Sequence, residues 1–367
     1  MWLGLGLIAA CQVLLLLDVN RRGGIVIPSP TPLPRPNGAL EHVARWVAVN
    51  MTGLGWIGYL LVFDGLLTRL SRTRRDPTIA SIRARPNRFV VAWLTSIPVW
   101  CFFDWVNFYF MDAWRYHGLP PQFSQRVVGY FIAFAAISPG MFLAAQLYQR
   151  LGLSRLCTRR DSANRRAAWT IVLAVNLILA GAVLLLEPKL DAAAGQRLPM
   201  WASAGLLVVP GTAALILTHS VMVGSVAFGI GFTLWAVLAR DPLGNLTLWV
   251  GLIFLLDPLN HYLGGPSILA DWRKGRWGRW LALMAAGATC GLCWEFWNYW
   301  ALAKWTYDLP FIGGLEHYKY FEMPWIGFLG FLPFAVECWV VLNTIVLGLE
   351  RLGLRVAEPL PNDQAVI

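Results

Sequence analysis

Charge is what this chain has least of. Only 14% of its 367 residues are Asp, Glu, Lys or Arg, and lysine occurs four times. A soluble domain carries about 25% charged residues, so a water-facing surface over most of the chain is excluded. The six cysteines are unevenly spaced in a chain that is 57% hydrophobic, which excludes a disulfide-stapled fold. Five histidines (His42, His117, His219, His261 and His317) show no metal-ligand spacing beyond the grouping of His317 with Glu316 and Glu322, so no metal is expected. The apolar runs do not alternate with polar residues, which excludes the strands of a membrane β-barrel.

What is present is long apolar runs, 20 tryptophans and arginine. Runs of this length predict spanning helices. The net charge of +10 comes from arginines between the runs. There they set membrane orientation, so no nucleic-acid partner is expected. Spans are predicted at about 2–18, 44–67, 89–112, 126–148, 168–187, 243–260, 280–300 and 324–347. The apolar block 200–239 is too long for one helix at 1.5 Å per residue, and Thr218, His219 and Ser220 mark its break, giving about ten spans. The expected fold is an all-α, polytopic transmembrane helical bundle. Residues 69–88 hold seven arginines, which the positive-inside rule places in the cytoplasm, as it does the cluster between Arg150 and Arg166.

Two stretches repeat one grammar. In CFFDWVNFYFMDAWRYHGLP, Asp104 lies three residues before Asn107, and Trp114 and Tyr116 follow. In CGLCWEFWNYWALAKWTYDLP, Glu295 lies three before Asn298, and Trp305 and Tyr307 follow at the same offsets. The echo extends outward: Asp64 and Asp257 precede the two motifs, with Ser81-Ile82 and Ser267-Ile268 between. Tyr130-Phe131 and Tyr320-Phe321 follow, and then Pro139 and Pro333. The organisation predicted is an N-terminal span and Pro-rich connector (1–43), a first three-helix repeat (44–150), linking helices (151–242), a second three-helix repeat (243–348) and a cytoplasmic tail (349–367). The two repeats run parallel, an arrangement that often places a shared site between halves.

Glu295 and Asn298 share a helical face. A carboxyl inside a span costs roughly 2.5–3.5 kcal/mol and should face a protein interior or wet cavity. It serves either as a helix tie, matched by Asp104 and Asn107 in the first repeat, or as a working acid. Asp64 and Asp257, close to basic loops, read as interfacial ion pairs. Glu322 and Glu337 have no acidic counterpart in the first repeat, and this asymmetry makes them candidate catalytic acids together with Glu295. Counted from Pro324, Glu337 lies roughly 20 Å into the bilayer. Trp294, Trp297, Trp305, Tyr307 and Asn298 are candidate substrate-binding residues. The tryptophan π faces suit a polyene or a carbocation, while an interfacial aromatic belt is the plainer reading of Trp305 and Tyr307. Cys290 and Cys293 form a C-x-x-C pair whose thiol-redox reading lacks a second cysteine pair.

The run WEFWNYWALAKWTYDLP…YFEMPWIGFLGFLPFAVE resembles an uncharacterised family of bacterial multi-pass membrane proteins, across most of residues 45–347. More distantly, the order of an acid-bearing helix, W-x-Y, a Gly-containing loop and a Pro followed by Glu is similar to the lycopene cyclase domain. That domain's P-x-E-E hallmark is replaced here by Glu322-Met323-Pro324 and by Pro333 four residues before Glu337. The resemblance implies a bacterial inner membrane location and a cofactor-independent, acid-catalysed isomerisation or cyclisation of an isoprenoid. The expected partner is a membrane lipid or other apolar small molecule; the oligomeric state is not specified. Two other classes fit the same sequence: a non-catalytic scaffold or assembly protein whose acids tie helices, and a transporter built from parallel repeats.

Overall fold

A computed structural model describes residues 1–25, 33–74, 82, 86–156, 161–186, 198–240, 243–307, 317–356 and 366. Most of the Pro-rich connector, the central part of the first arginine-rich loop, Pro310, Glu316 and most of the C-terminal tail lie outside the described residues.

The first half holds α1 (Trp2–Arg21), α2 (Ala39–Arg74), α3 (Pro86–Val106), strand β1 (Trp114–His117), α4 (Phe123–Gly129) and α5 (Ala135–Leu151). Then come α6 (Asp161–Leu186), α7 (Met200–Thr218) and α8 (Val221–Ala239). The second half holds α9 (Gly244–Tyr262), the short α10 (Ile268–Arg273), α11 (Gly278–Trp300), strands β2 (Lys304–Tyr307), β3 (Lys319–Tyr320) and β4 (Met323–Pro324), the one-turn α12 (Trp325–Phe328) and α13 (Phe331–Arg351). The fold is an all-α bundle, and eight of its helical segments are long and apolar enough to cross a membrane. They are α1, α2, α3 with its C-terminal turn, α4 continuing into α5, α6, α7, α8 and α13. α9 and α11 fall below that apolarity; they carry the buried polar residues Asn245, Asp257 and Asn260, and Glu295 and Asn298.

The break expected in the 200–239 block is there. His219 adopts a left-handed conformation (φ 52°), and Ser220 caps α8 through its hydroxyl, which accepts from the Val223 amide. One expected boundary moves. α13 begins at Phe331, because residues 323–328 form a strand and one helical turn instead of the start of a long helix. Glu337 therefore lies only about 9 Å along its helix, at 1.5 Å per residue.

Burial is greatest in the middle of the bundle. α5 is buried along nearly its whole length, packed against α2, α3 and α11, and α11 in turn packs against α13. α6 and α7 leave Ile178, Leu185, Trp201 and Leu217 exposed, the apolar exterior expected where lipid replaces water. Gly55 allows α2 to meet α11 closely: a Cβ there would lie 2.5 Å from the Trp297 ring. Among the described residues, Asp64 and Asp257, expected as interfacial ion pairs, accept mainly from backbone amides. Asp64 accepts from the Ile82 amide at 2.6 Å; Asp257 accepts from the Ile268 and Leu269 amides and the Ser267 hydroxyl. Each carboxylate ties one helix to the chain leading into the next.

Candidate functional site

The two acid-Asn motifs converge. β1 and β2, each following one motif, pair antiparallel: Trp114 with Tyr307, Arg115 with Thr306, Tyr116 with Trp305, His117 with Lys304. Asn107 anchors the first strand, donating to the Trp114 carbonyl (2.8 Å) and accepting from the Ala113 and Trp114 amides. Asn298 anchors the second identically, donating to the Trp305 carbonyl (2.9 Å) and accepting from its amide (2.9 Å). Both asparagines are fully buried. An amide is the side chain that meets both a backbone donor and a backbone acceptor at once, which is why Asn stands at both positions.

The acids hold the tyrosines. Asp104 Oδ1 accepts from the Tyr116 hydroxyl (2.9 Å) and the Trp114 indole (3.1 Å), and the Trp100 indole donates onward to the Tyr116 oxygen (3.3 Å). Glu295 Oε1 accepts from the Tyr307 hydroxyl at 2.6 Å, and that oxygen accepts from the Trp305 indole at 2.7 Å. Burial, followed by the neighbouring carboxylate, pushes both phenols well above their usual range, so they stay protonated donors. Asp104 Oδ2 has no hydrogen bond among the described residues. Glu295 Oε2 is buried without a partner.

Beside this double motif lies a cavity of about 820 Å³. Trp56 of α2, Trp100 of α3, Trp294 of α11, Trp249 of α9 and Phe331 and Phe334 of α13 form its aromatic body. One wall is Asp104, Trp114, Tyr116, Trp305 and Tyr307; the mouth is His42, Arg45, Asn50, Gln125, Arg126 and Tyr130. Two π-helical turns, Asn107–Met111 and Tyr130–Phe134, border it and contribute Phe108, Tyr130 and Phe134 to its lining. Such turns insert one extra residue per turn and re-aim the side chains that follow. Asp112 (φ 46°) ends the first and sends the chain back into β1.

The residues singled out in the sequence separate on this geometry. Trp294, Trp305, Tyr307, Asp104, Trp114 and Tyr116 line the cavity. Asn107 and Asn298 stand behind the strands. Trp297 is buried against Trp56, Tyr59 and the Gly55 backbone and does not reach the cavity. Glu295 is absent from the lining and adjoins it through Tyr307, whose hydroxyl it accepts from. Glu322 pairs with Lys304, whose ammonium also donates to the Tyr299 carbonyl (3.1 Å) and lies over the Tyr299 ring. Glu337 is wholly buried outside the cavity lining, both oxygens without a partner among the described residues.

Cys290 lies 3.1 Å from the Tyr59 hydroxyl, and both it and Cys293 are free thiols. Among the described residues no three His, Cys, Asp or Glu side chains converge as a metal site would require. Trp56, Trp100, Phe334 and Arg126 were not singled out in the sequence. Arg126 had a signal, as an arginine at the end opposite the basic loops; the aromatics had none among so many.

A bundle of apolar spanning-length helices around an aromatic cavity with one carboxylate among its lining residues has the organisation of a multi-pass membrane protein. No family model, curated protein or solved structure matches the chain.

Proposed function

We propose that this protein takes an apolar lipid of the isoprenoid class into the aromatic cavity and acts on it by acid catalysis, without a cofactor. The observation that carries this reading is Asp104: a carboxyl with one free oxygen in the wall of an otherwise apolar, tryptophan-lined cavity. The exposed apolar side chains Trp46, Phe108 and Val128 sit at its margin, a path by which a lipid tail reaches it from the bilayer. The volume lies within the 300–1,000 Å³ typical of ligand sites.

The chemistry balances within the chain. The Asp104 carboxyl transfers its proton to one carbon of a double bond. The resulting cation lies against the π faces of Trp100 and Trp294, whose rings are 5.1 Å apart. The carboxylate then takes a proton from a neighbouring carbon, leaving a shifted double bond or a closed ring and the acid restored. Tyr116 and Trp114 hold the acid in place. The likeness in feature order to the lycopene cyclase domain supports the substrate class, but the proton donor moves from Glu322, Glu337 and Glu295 to Asp104.

We also infer that the two halves are a parallel duplication, with α9 and α11 crossing the membrane to give ten spans, basic loops in the cytoplasm and the protein in a bacterial inner membrane. The self-complementary strand pairing supports this. Arg115 and Thr306 occupy equivalent places in the two motifs and face each other, so a two-fold axis runs between them. In the second half the segment aligned with Tyr130-Phe131 packs against aromatic side chains of α11. Phe321 packs edge-on or tilted against Phe296, Tyr299 and Tyr320.

The test is Asp104→Asn, followed by mass spectrometry of lipid extracts from expressing cells. Loss of the product at an unchanged protein level is expected. Unchanged product overturns catalysis by Asp104. A second reading, in which the acids only tie helices, is favoured by the Asp104 bonds to Trp114 and Tyr116; under it the same variant lowers thermal stability in detergent and changes no lipid.

A further inference from the structure

Arg126 stands at the cavity mouth in a position that a purely apolar ligand does not explain. It lies on α4, half-buried, and its Nε is shielded from solvent with no hydrogen-bond partner among the described residues. No carboxylate among the described residues forms an ion pair with it. An uncompensated, partly desolvated guanidinium is costly, and an anion supplied by a ligand removes that cost. The second mouth arginine, Arg45, is engaged differently: its Nε donates to Asp18 at 2.6 Å. Asp18 is shared with Arg22, so this group too stays net positive. His42 and Gln125 add possible donors beside them. Basic side chains and a continuous aromatic surface thus line one and the same cavity.

We propose that the ligand is an amphiphile with a phosphate headgroup, held at the mouth by Arg126 with its apolar chain in the tryptophan-lined cavity. This rests on the proposed lipid-binding reading and narrows its substrate class to a phosphorylated isoprenoid. A guanidinium presents paired N–H donors that match phosphate oxygens, which makes Arg126 the headgroup reader and Arg45 a supporting charge. A free inorganic anion would use the same donors, but the apolar volume continuous with the mouth favours a headgroup carrying a chain.

The test uses the purified full chain in detergent and follows quenching of the cavity tryptophans on titration with a polyprenyl phosphate, the matching polyprenol, and inorganic phosphate alone. The polyprenyl phosphate should bind about ten- to a hundredfold tighter than the alcohol, the size expected for charge-assisted hydrogen bonds. Arg126→Gln should bring its affinity down to that of the alcohol and leave the alcohol unchanged, while Arg126→Lys should retain part of the difference. Equal affinity for phosphate and alcohol in the unmodified protein overturns the headgroup inference and leaves the apolar site standing. Binding of neither overturns both. Competition by inorganic phosphate at the concentration of the polyprenyl phosphate would overturn the lipid source in favour of a free anion.

Discussion

Lys304 is wholly buried, and Glu322, 17% exposed, is the only carboxylate paired with it among the described residues. The two members of this pair are not equivalent. Removing the lysine leaves a carboxylate with some access to water. Removing the carboxylate leaves a buried ammonium with one carbonyl and one aromatic face, and breaking a buried pair in this way costs roughly 3–5 kcal/mol. Glu322→Gln is therefore expected to lower unfolding stability in detergent more than Lys304→Met does, by a margin of about 1–2 kcal/mol. Denaturant titration of both variants checks the order; a Glu322→Gln protein as stable as its parent would sink a structural role and return Glu322 to the candidate acids. The sequence drew attention to Glu322 by its asymmetry between halves. The partner was equally visible as one of only four lysines, but nothing local said the two would meet eighteen residues apart.

At the scale of the element, the paired strands β1 and β2 are the joint of the molecule. Each is short, and each depends on one buried Asn for its anchoring backbone bonds. Losing one Asn leaves a buried amide and carbonyl unsatisfied, at about 1–3 kcal/mol per orphaned group. Because each strand is the other's only strand partner among the described residues, the second loss finds a joint already loosened. Asn107→Ala and Asn298→Ala should each destabilise the protein, and the double variant should cost less than their sum by about 0.5–3 kcal/mol. A double-mutant cycle on thermal or denaturant unfolding measures this directly, and strict additivity would show that the strands are held independently. The repeated spacing of Asp104 with Asn107 and Glu295 with Asn298 was legible in the sequence. That the two copies form one joint was not, because strand pairing joins residues 191 positions apart and leaves no local periodicity.

For the whole molecule, the arginine-rich loops and the paired strands lie at opposite ends of the long helices, since α3 and its terminal turn separate Arg72 from Arg115. With the basic loops in the cytoplasm, a cysteine placed at exposed Arg115 or Lys319 should react with a membrane-impermeant maleimide added outside intact cells. One at exposed Arg72 or Arg165 should react only after permeabilisation, with exposed Cys101 first replaced. The reverse pattern would invert the orientation, and labelling of Arg72 and Arg115 sites from one side would contradict a membrane crossing between them.

The class of the protein, the positions of its long helices and the break at Thr218-His219-Ser220 were determined by the sequence alone. Each depends on the polarity of a continuous stretch, which the chain carries locally. The start of α13 escaped that reading because an apolar strand and an apolar helix look alike over so few residues. The cavity was decided only by tertiary structure. Both halves carry an acid, an Asn, a Trp and a Tyr in the same order, and sequence asymmetry pointed to the second half. The open space lies beside Asp104 of the first and also meets Tyr307, Phe331 and Phe334 of the second, so it is lined from both halves. A cavity is set by which side chains fail to meet across helices, and no stretch of sequence contains that information by itself.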